Sequence, residues 1–169
     1  WEMEEQYLTD FRIPAIVRAA NGDLLAIAEG RTVPSDAGEI HLICRRSQDD
    51  GGTWDQPYII AQDRSNGTTC VGNPVPLVNS QGHIFIFHNR QPTTAHDDRH
   101  VWVIKSTDHG ATWDAGTNLD STLKDAAWGW HGCGPCHGIV KEFAPNKGRM
   151  IVPFYAATLD ANPTPMDFA

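Results

Sequence analysis

The stretches Ser47-Gln48-Asp49-Asp50-Gly51-Gly52-Thr53-Trp54 and Ser106-Thr107-Asp108-His109-Gly110-Ala111-Thr112-Trp113 spell one pattern, S-x-D-x-G-x-T-W, twice. Their first residues lie 59 positions apart (106 minus 47), and other segments return at nearly the same interval. Arg12-Ile13-Pro14-Ala15-Ile16-Val17 is echoed by Asn73-Pro74-Val75-Pro76-Leu77-Val78, with 60 positions between Pro14 and Pro74. The run Gly22-Asp23-Leu24-Leu25-Ala26-Ile27 comes back as Gly82-His83-Ile84-Phe85-Ile86-Phe87 and again as Gly148-Arg149-Met150-Ile151-Val152-Pro153. A fixed period of this length marks an array of supersecondary units that bury their apolar faces against one another.

Each unit reads as β-structure. Glu39 to Arg45 and His100 to Lys105 are short branched and aromatic runs bounded by Gly, Asp and Ser, the composition of strands. Leu24 to Ala28 and Ile84 to Phe87 are nearly continuous apolar runs, as in strands covered on both faces. The S-x-D-x-G-x-T-W box has a local mechanism. Asp accepts backbone N–H bonds within its own turn, Gly supplies positive φ, and Trp anchors the turn by its ring. Asp49 and Asp108 are therefore expected to be structural hairpin fasteners. Four strands per unit, radially repeated, make a β-propeller blade, and such propellers close with about four to eight blades. The 169 residues hold units at about 13–54, 73–113 and 138–169, too few to close. With Trp1 at one end and Ala169 inside a unit at the other, the expectation is one incomplete domain over 1–169, a piece of a longer protein.

Composition narrows the function classes. The formal net charge of −8 opposes nucleic-acid binding, which wants a basic surface. No apolar run approaches the roughly 20 residues of a membrane-spanning helix. Cys133-Gly134-Pro135-Cys136 spells a thioredoxin-like C-G-P-C, but a redox motif needs a helix after it, and His137-Gly138-Ile139-Val140 reads as strand entry. His131, Cys133, Cys136 and His137 are zinc-type ligands crowded into seven positions, poor geometry for a closed tetrahedral site. A disulfide or free thiols fit the context better.

Phe11-Arg12-Ile13-Pro14 followed by the two boxes resembles the sialidase (neuraminidase) family of glycoside hydrolases. Leu25-Ala26-Ile27-Ala28-Glu29-Gly30-Arg31 looks like that family's strand ending in an active-site arginine, and Ser35-Asp36-Ala37-Gly38-Glu39-Ile40 like the stretch holding its acid/base aspartate. Val71-Gly72-Asn73-Pro74, Gly134-Pro135-Cys136-His137-Gly138-Ile139 and Gly148-Arg149-Met150-Ile151-Val152-Pro153 match later family segments in order. The resemblance covers nearly the whole chain. It implies an all-β fold, about two and a half blades of a six-bladed β-propeller of four-stranded antiparallel sheets.

The resemblance also implies a chemistry. The full-length protein would be an exo-α-sialidase, hydrolysing terminal sialic acids from glycoproteins, glycolipids and oligosaccharides with retention, and needing no cofactor or metal. Such substrates suit a secreted, cell-surface or lysosomal-type location. Sialidases use a Tyr nucleophile, activated by a Glu, with an Asp as acid/base and three arginines whose rigid forks clamp the sugar carboxylate. Arg12 matches the first clamp arginine, Arg31 a further arginine near the acid, and Asp36 the acid/base. Asn73 matches a polar residue on the sugar's hydroxyl side. The Glu, the nucleophile and two clamp arginines belong to later blades, so these residues alone are expected to be inactive. Tyr155 lies in a third-unit strand and matches no nucleophile position, and His41 stands where an acidic residue is common. The competing reading is a non-catalytic propeller for glycan binding or scaffolding, in which Arg12 and Asp36 would be ordinary surface and turn residues. A bare scaffold has no need of both.

Overall fold

A computed structural model describes residues 8–36, 38–63, 69–92 and 99–158. The last eleven residues of the third expected unit, 159–169, lie outside them. The apolar runs fold as strands: β1 (Asp10–Arg18), β2 (Leu24–Arg31), β3 (Ile40–Ser47) and β4 (Tyr58–Ala61) form one antiparallel meander. A second follows from β5 (Cys70–Val78), β6 (Ile84–Gln91), β7 (His100–Ser106) and β8 (Thr117–Asn118). Their innermost ends meet through a parallel bridge between Ile40 and Cys70. After the single-turn α1 (Asp120–Leu123), a third unit presents an interrupted hairpin. In it β9 (Trp128–Cys133) pairs with β12 (Phe154–Thr158), and β10 (Ile139–Val140) with β11 (Met150–Ile151). Successive four-stranded meanders of this kind make the chain a partial β-propeller, with sheets that do not close on themselves. Among the described residues no helix is long and apolar enough to cross a membrane.

The units superpose in register. Arg12 faces Glu29 across the first β-pair, Gly72 faces Asn89 across the second, and Gly132 faces Tyr155 across the third. Both complete units carry a bulge, between Arg12 and Ala15 and between Gly72 and Val75. Pro14 and Pro74 have no N–H for the ladder, and a bulge is where a strand tolerates that loss. The residues before them, Ile13 (φ 52°) and Asn73 (φ 55°), are left-handed. That conformation is costly ahead of proline, about 1–3 kcal/mol each, and such strain collects at functional sites.

The boxes behave as fasteners. Asp49 Oδ1 accepts from the Ser47 hydroxyl (2.8 Å) and the Thr53 N–H (2.7 Å), while Oδ2 accepts the Thr53 hydroxyl at 2.7 Å. Asp108 repeats this with Ser106 and Thr112. Asp50-Gly51 and His109-Gly110 supply the consecutive positive φ values of the turn. Thr53 N–H and hydroxyl bonds hold the Asp49 carboxyl down at about 2, and Thr112 does the same for Asp108. With folded values below the ordinary carboxylate value, this contribution is complete above about pH 4 and fades as pH falls toward 2. The second box also docks on the first unit: Tyr58 donates to the Gly110 carbonyl at 2.5 Å, and a Cβ at Gly110 would collide with Leu25.

The main core lies between the first two sheets. Leu25, Ile27 and Leu42 of the first pack with Ile84, Ile86 and Ile104 of the second, all fully buried, each contributing about 1.5–3 kcal/mol. Val75, Val101 and Cys133 form a smaller cluster toward the third unit. There Asp120 accepts from the Val101 N–H (3.1 Å) and binds His100 Nδ1 (2.5 Å) and His131 Nε2 (3.3 Å). Ser106 is buried, and its Oγ takes the Gly110 N–H at 2.8 Å. Ser106→Ala leaves that N–H without a partner, and urea unfolding should show a loss of about 1–3 kcal/mol. A loss below the error of the fit would mean that water replaces the hydroxyl.

Candidate functional site

The strand ends nearest one another converge on a cavity of about 850 Å³. Arg12, Arg31, Asp36 and Asn73, the four residues singled out in the sequence, all line it. So do Glu29, Asn89, Gln91, Arg99, Trp128, Trp130 and Tyr155. The walls thus come from all three units, and the bulges at Ile13 and Asn73 re-aim the strands where they reach the cavity.

Its most connected group is a charged triplet. Arg31 and Glu29 sit two apart on β2, hence on one face, with side chains only 4% and 3% exposed. Glu29 Oε2 accepts from Arg31 Nε (2.9 Å) and Nη2 (2.5 Å). Arg31 Nη1 reaches Asp36 Oδ1 at 2.6 Å, and the Asp36 side chain is 85% exposed at the rim. Burial works against the Arg31 charge, but the Glu29 and Asp36 carboxylates outweigh it and hold the guanidinium above its ordinary value. Glu29 Oε1 meanwhile accepts the backbone N–H of Asn73 at 2.8 Å, tying the first unit to the second.

Arg12 is exposed and makes no hydrogen bond or ion pair with the described residues, so its fork is uncommitted. At the opposite wall three donors meet one phenol. Tyr155 Oη accepts from Arg99 Nη1 (2.8 Å) and is approached by Asn89 Nδ2 (3.2 Å) and Asn73 Nδ2 (3.4 Å). Its ring lies 4.9 Å from Trp130, and the Arg99 guanidinium also stands 4.9 Å from that indole. Gln91 Oε1 takes Arg99 Nε and Nη2 at 3.1 and 2.8 Å. Among the described residues the cavity offers the uncommitted Arg12 guanidinium, the exposed Asp36 carboxyl and a polar, aromatic-backed wall, a set fitted to an anionic, hydroxylated ligand.

The sequence reading passed over several of these groups. Glu29 carries a signal, since an acid and an arginine at i and i+2 of a strand share a face. Arg99 and Trp130 carry none that separates them from ordinary surface and core residues. Tyr155, whose sequence position matches a third-unit strand and no nucleophile, lies on β12 and also lines the cavity. His41 turns to Glu39 (3.2 Å).

The cysteine motif acquires no chemistry. All four cysteines are free thiols. Cys133 ends β9, a loop and β10 follow it in place of a helix, and burial pushes its thiol up to about 12. Redox centres need the reverse. His131 Nε2 is engaged by Asp120, Cys136 is exposed, and among the described residues no group of His, Cys, Asp or Glu could hold a metal ion.

Residues 22–168 match the family of BNR repeat-like domains. An exo-alpha-sialidase of Aspergillus fumigatus is 27% identical over 168 residues, covering 85% of this chain and 40% of that protein. A sialidase of Micromonospora viridifaciens is 31% identical over 157 residues, covering 84% of this chain and 24% of the relative. The chain therefore spans about a quarter to two fifths of the length of these relatives. Among solved structures, a Hadza microbial sialidase, Hz136, matches with a TM-score of 0.82 at 22% identity, over 91% of this chain and 34% of that one.

Proposed function

The chain belongs to the sialidase family built on BNR-type repeats, and on that footing we propose that it forms the first part of an exo-α-sialidase acting on terminal sialic acids of glycoconjugates. The observation that carries the reading is one cavity lined by Arg12, Arg31, Asp36 and Asn73, residues drawn from three separate stretches of the sequence. Its volume falls within the usual range for small-molecule sites.

In this reading Arg12, with its fork free, takes the sugar carboxylate by paired N–H bonds. Asp36, at the rim, stands where the glycosidic oxygen leaves. As acid it passes a proton to that oxygen while the bond to the anomeric carbon breaks; as base it takes a proton from the water that releases the sugar. Arg31 holds Asp36 in place, and Asn73 with the Tyr155–Arg99 wall meets the sugar's hydroxyl-bearing side. The nucleophile, its activating acid and the remaining clamp arginines come from outside these 169 residues, which form one incomplete propeller domain. No cofactor enters the scheme.

The test is hydrolysis of an aryl α-sialoside by the complete protein, with the first-formed anomer followed by proton NMR. Release of the α-anomer supports the proposal, and the 169 residues alone should release none. A complete protein that binds sialosides without cleaving them would instead be a glycan-binding propeller.

A further inference from the structure

We propose that Glu29 is a positioning residue, which sets Arg31 and Asn73 together so that Asp36 is presented at a fixed place. The inference rests on the sialidase reading for its consequence in turnover, and on geometry for the arrangement itself. Glu29 is 2% exposed, and both carboxylate oxygens are committed: Oε2 to Arg31, Oε1 to the Asn73 N–H.

The second unit serves as an internal control. Asn89 occupies the position of Glu29, and its Oδ1 accepts the Cys133 N–H at 2.8 Å, the same reach from one unit to the main chain of the next. Sixty residues separate 29 from 89 and, equally, 73 from 133. A neutral amide is thus sufficient to join two units. In that second unit the residue matching Arg31 is Gln91, so two neutral amides stand where the first unit holds an acid and a guanidinium. The negative charge at position 29 is surplus to the joint and is spent on Arg31, whose other arm holds Asp36. A buried arginine flanked by a carboxylate on each side is fixed in direction, whereas one left with Asp36 alone would swing toward the rim.

Two variants separate the joint from the positioning. Glu29→Gln keeps an acceptor for the Asn73 N–H but removes the charge from Arg31; Glu29→Ala removes both. In the complete protein Glu29→Gln should lower kcat/KM about 100-fold, the scale of a displacement near 1 Å in a reacting group. Its melting temperature should stay close to that of the parent. In the 169-residue chain, amide exchange by NMR should show Asn73 still protected in Glu29→Gln and unprotected in Glu29→Ala. The Arg31 Nε–H signal, slow to exchange in the parent, should exchange fast in both. An active parent whose Glu29→Gln variant keeps its kcat/KM would overturn the proposal, as would an unchanged Arg31 Nε–H. A parent without sialidase activity would overturn the functional reading instead, and the exchange measurements would still decide on Glu29.

Discussion

Replacing Asp36 by Asn in the complete protein is expected to lower kcat on a natural sialoside by about 10²- to 10⁴-fold, the usual contribution of a general acid/base. The substitution keeps the shape and an acceptor for Arg31 Nη1, now 2.6 Å from the carboxylate, so KM should change far less. The loss should shrink on an aryl sialoside whose leaving group is a weak base, since such a group departs without a proton. It should persist in the water-dependent step, where the carboxylate acts as base. The alternative for Asp36, a solvated turn residue paired with an arginine, predicts the opposite: exposed ion pairs contribute little, and turnover would stay near the parent value. Losses in kcat/KM, which reports the bond-breaking step, decide between them on the two substrates, and equal losses in it would argue that Asp36 merely shapes the rim.

The second large effect concerns acid. His88 on β6 is completely buried, and its Nε2 has no partner among the described residues. Burial, with help from the nearby Arg90 charge, pushes its imidazole down to about 3. The folded chain therefore holds His88 neutral where the unfolded chain would protonate it, near pH 6.5. Stability is complete above that value and declines as pH falls from about 6.5 toward 3. At about 1.4 kcal/mol per pH unit the full decline approaches about 5 kcal/mol, a large share of what a domain possesses. Melting temperature against pH should bend down below about 6.5. His88→Leu, similar in volume and without a charge to acquire, should flatten that curve and move acid unfolding to lower pH. An unaltered curve in the variant would place the acid sensitivity elsewhere, for instance at the buried His131, where burial also lowers the imidazole.

The fold was legible where its determinants are local. The box closes bonds over two and four residues, Ser47 to Asp49 and Asp49 to Thr53, so its sequence suffices to specify its turn. Repetition then supplied the long-range information, since two copies of one unit announce a shared architecture. The third unit was harder. β9 reads Trp-Gly-Trp-His-Gly-Cys, with none of the branched residues that mark a strand, and it is a strand because Gly132 packs flat beneath Tyr155 and Asn89. In the site, Arg12, Arg31, Asp36 and Asn73 were readable from short matched words. Arg99 was not, because its partner Tyr155 lies 56 residues away, and of Glu29 only the local half, its pairing with Arg31, was within reach, since its bond to Asn73 spans 44 residues. Contacts of that span are made by the stacking of units, and no window of sequence contains both ends.

The reach of one side chain onto the next unit's main chain gives this architecture a gauge. Glu at 29 is longer by one methylene than Asn at 89, so the two wedges it separates and the two that Asn separates are metered by different spacers. Both spacers also line the cavity. A change of side-chain length at 29 or 89 would therefore act on the cavity mouth and on the gap between neighbouring wedges together, leaving the greasy interior of each wedge untouched.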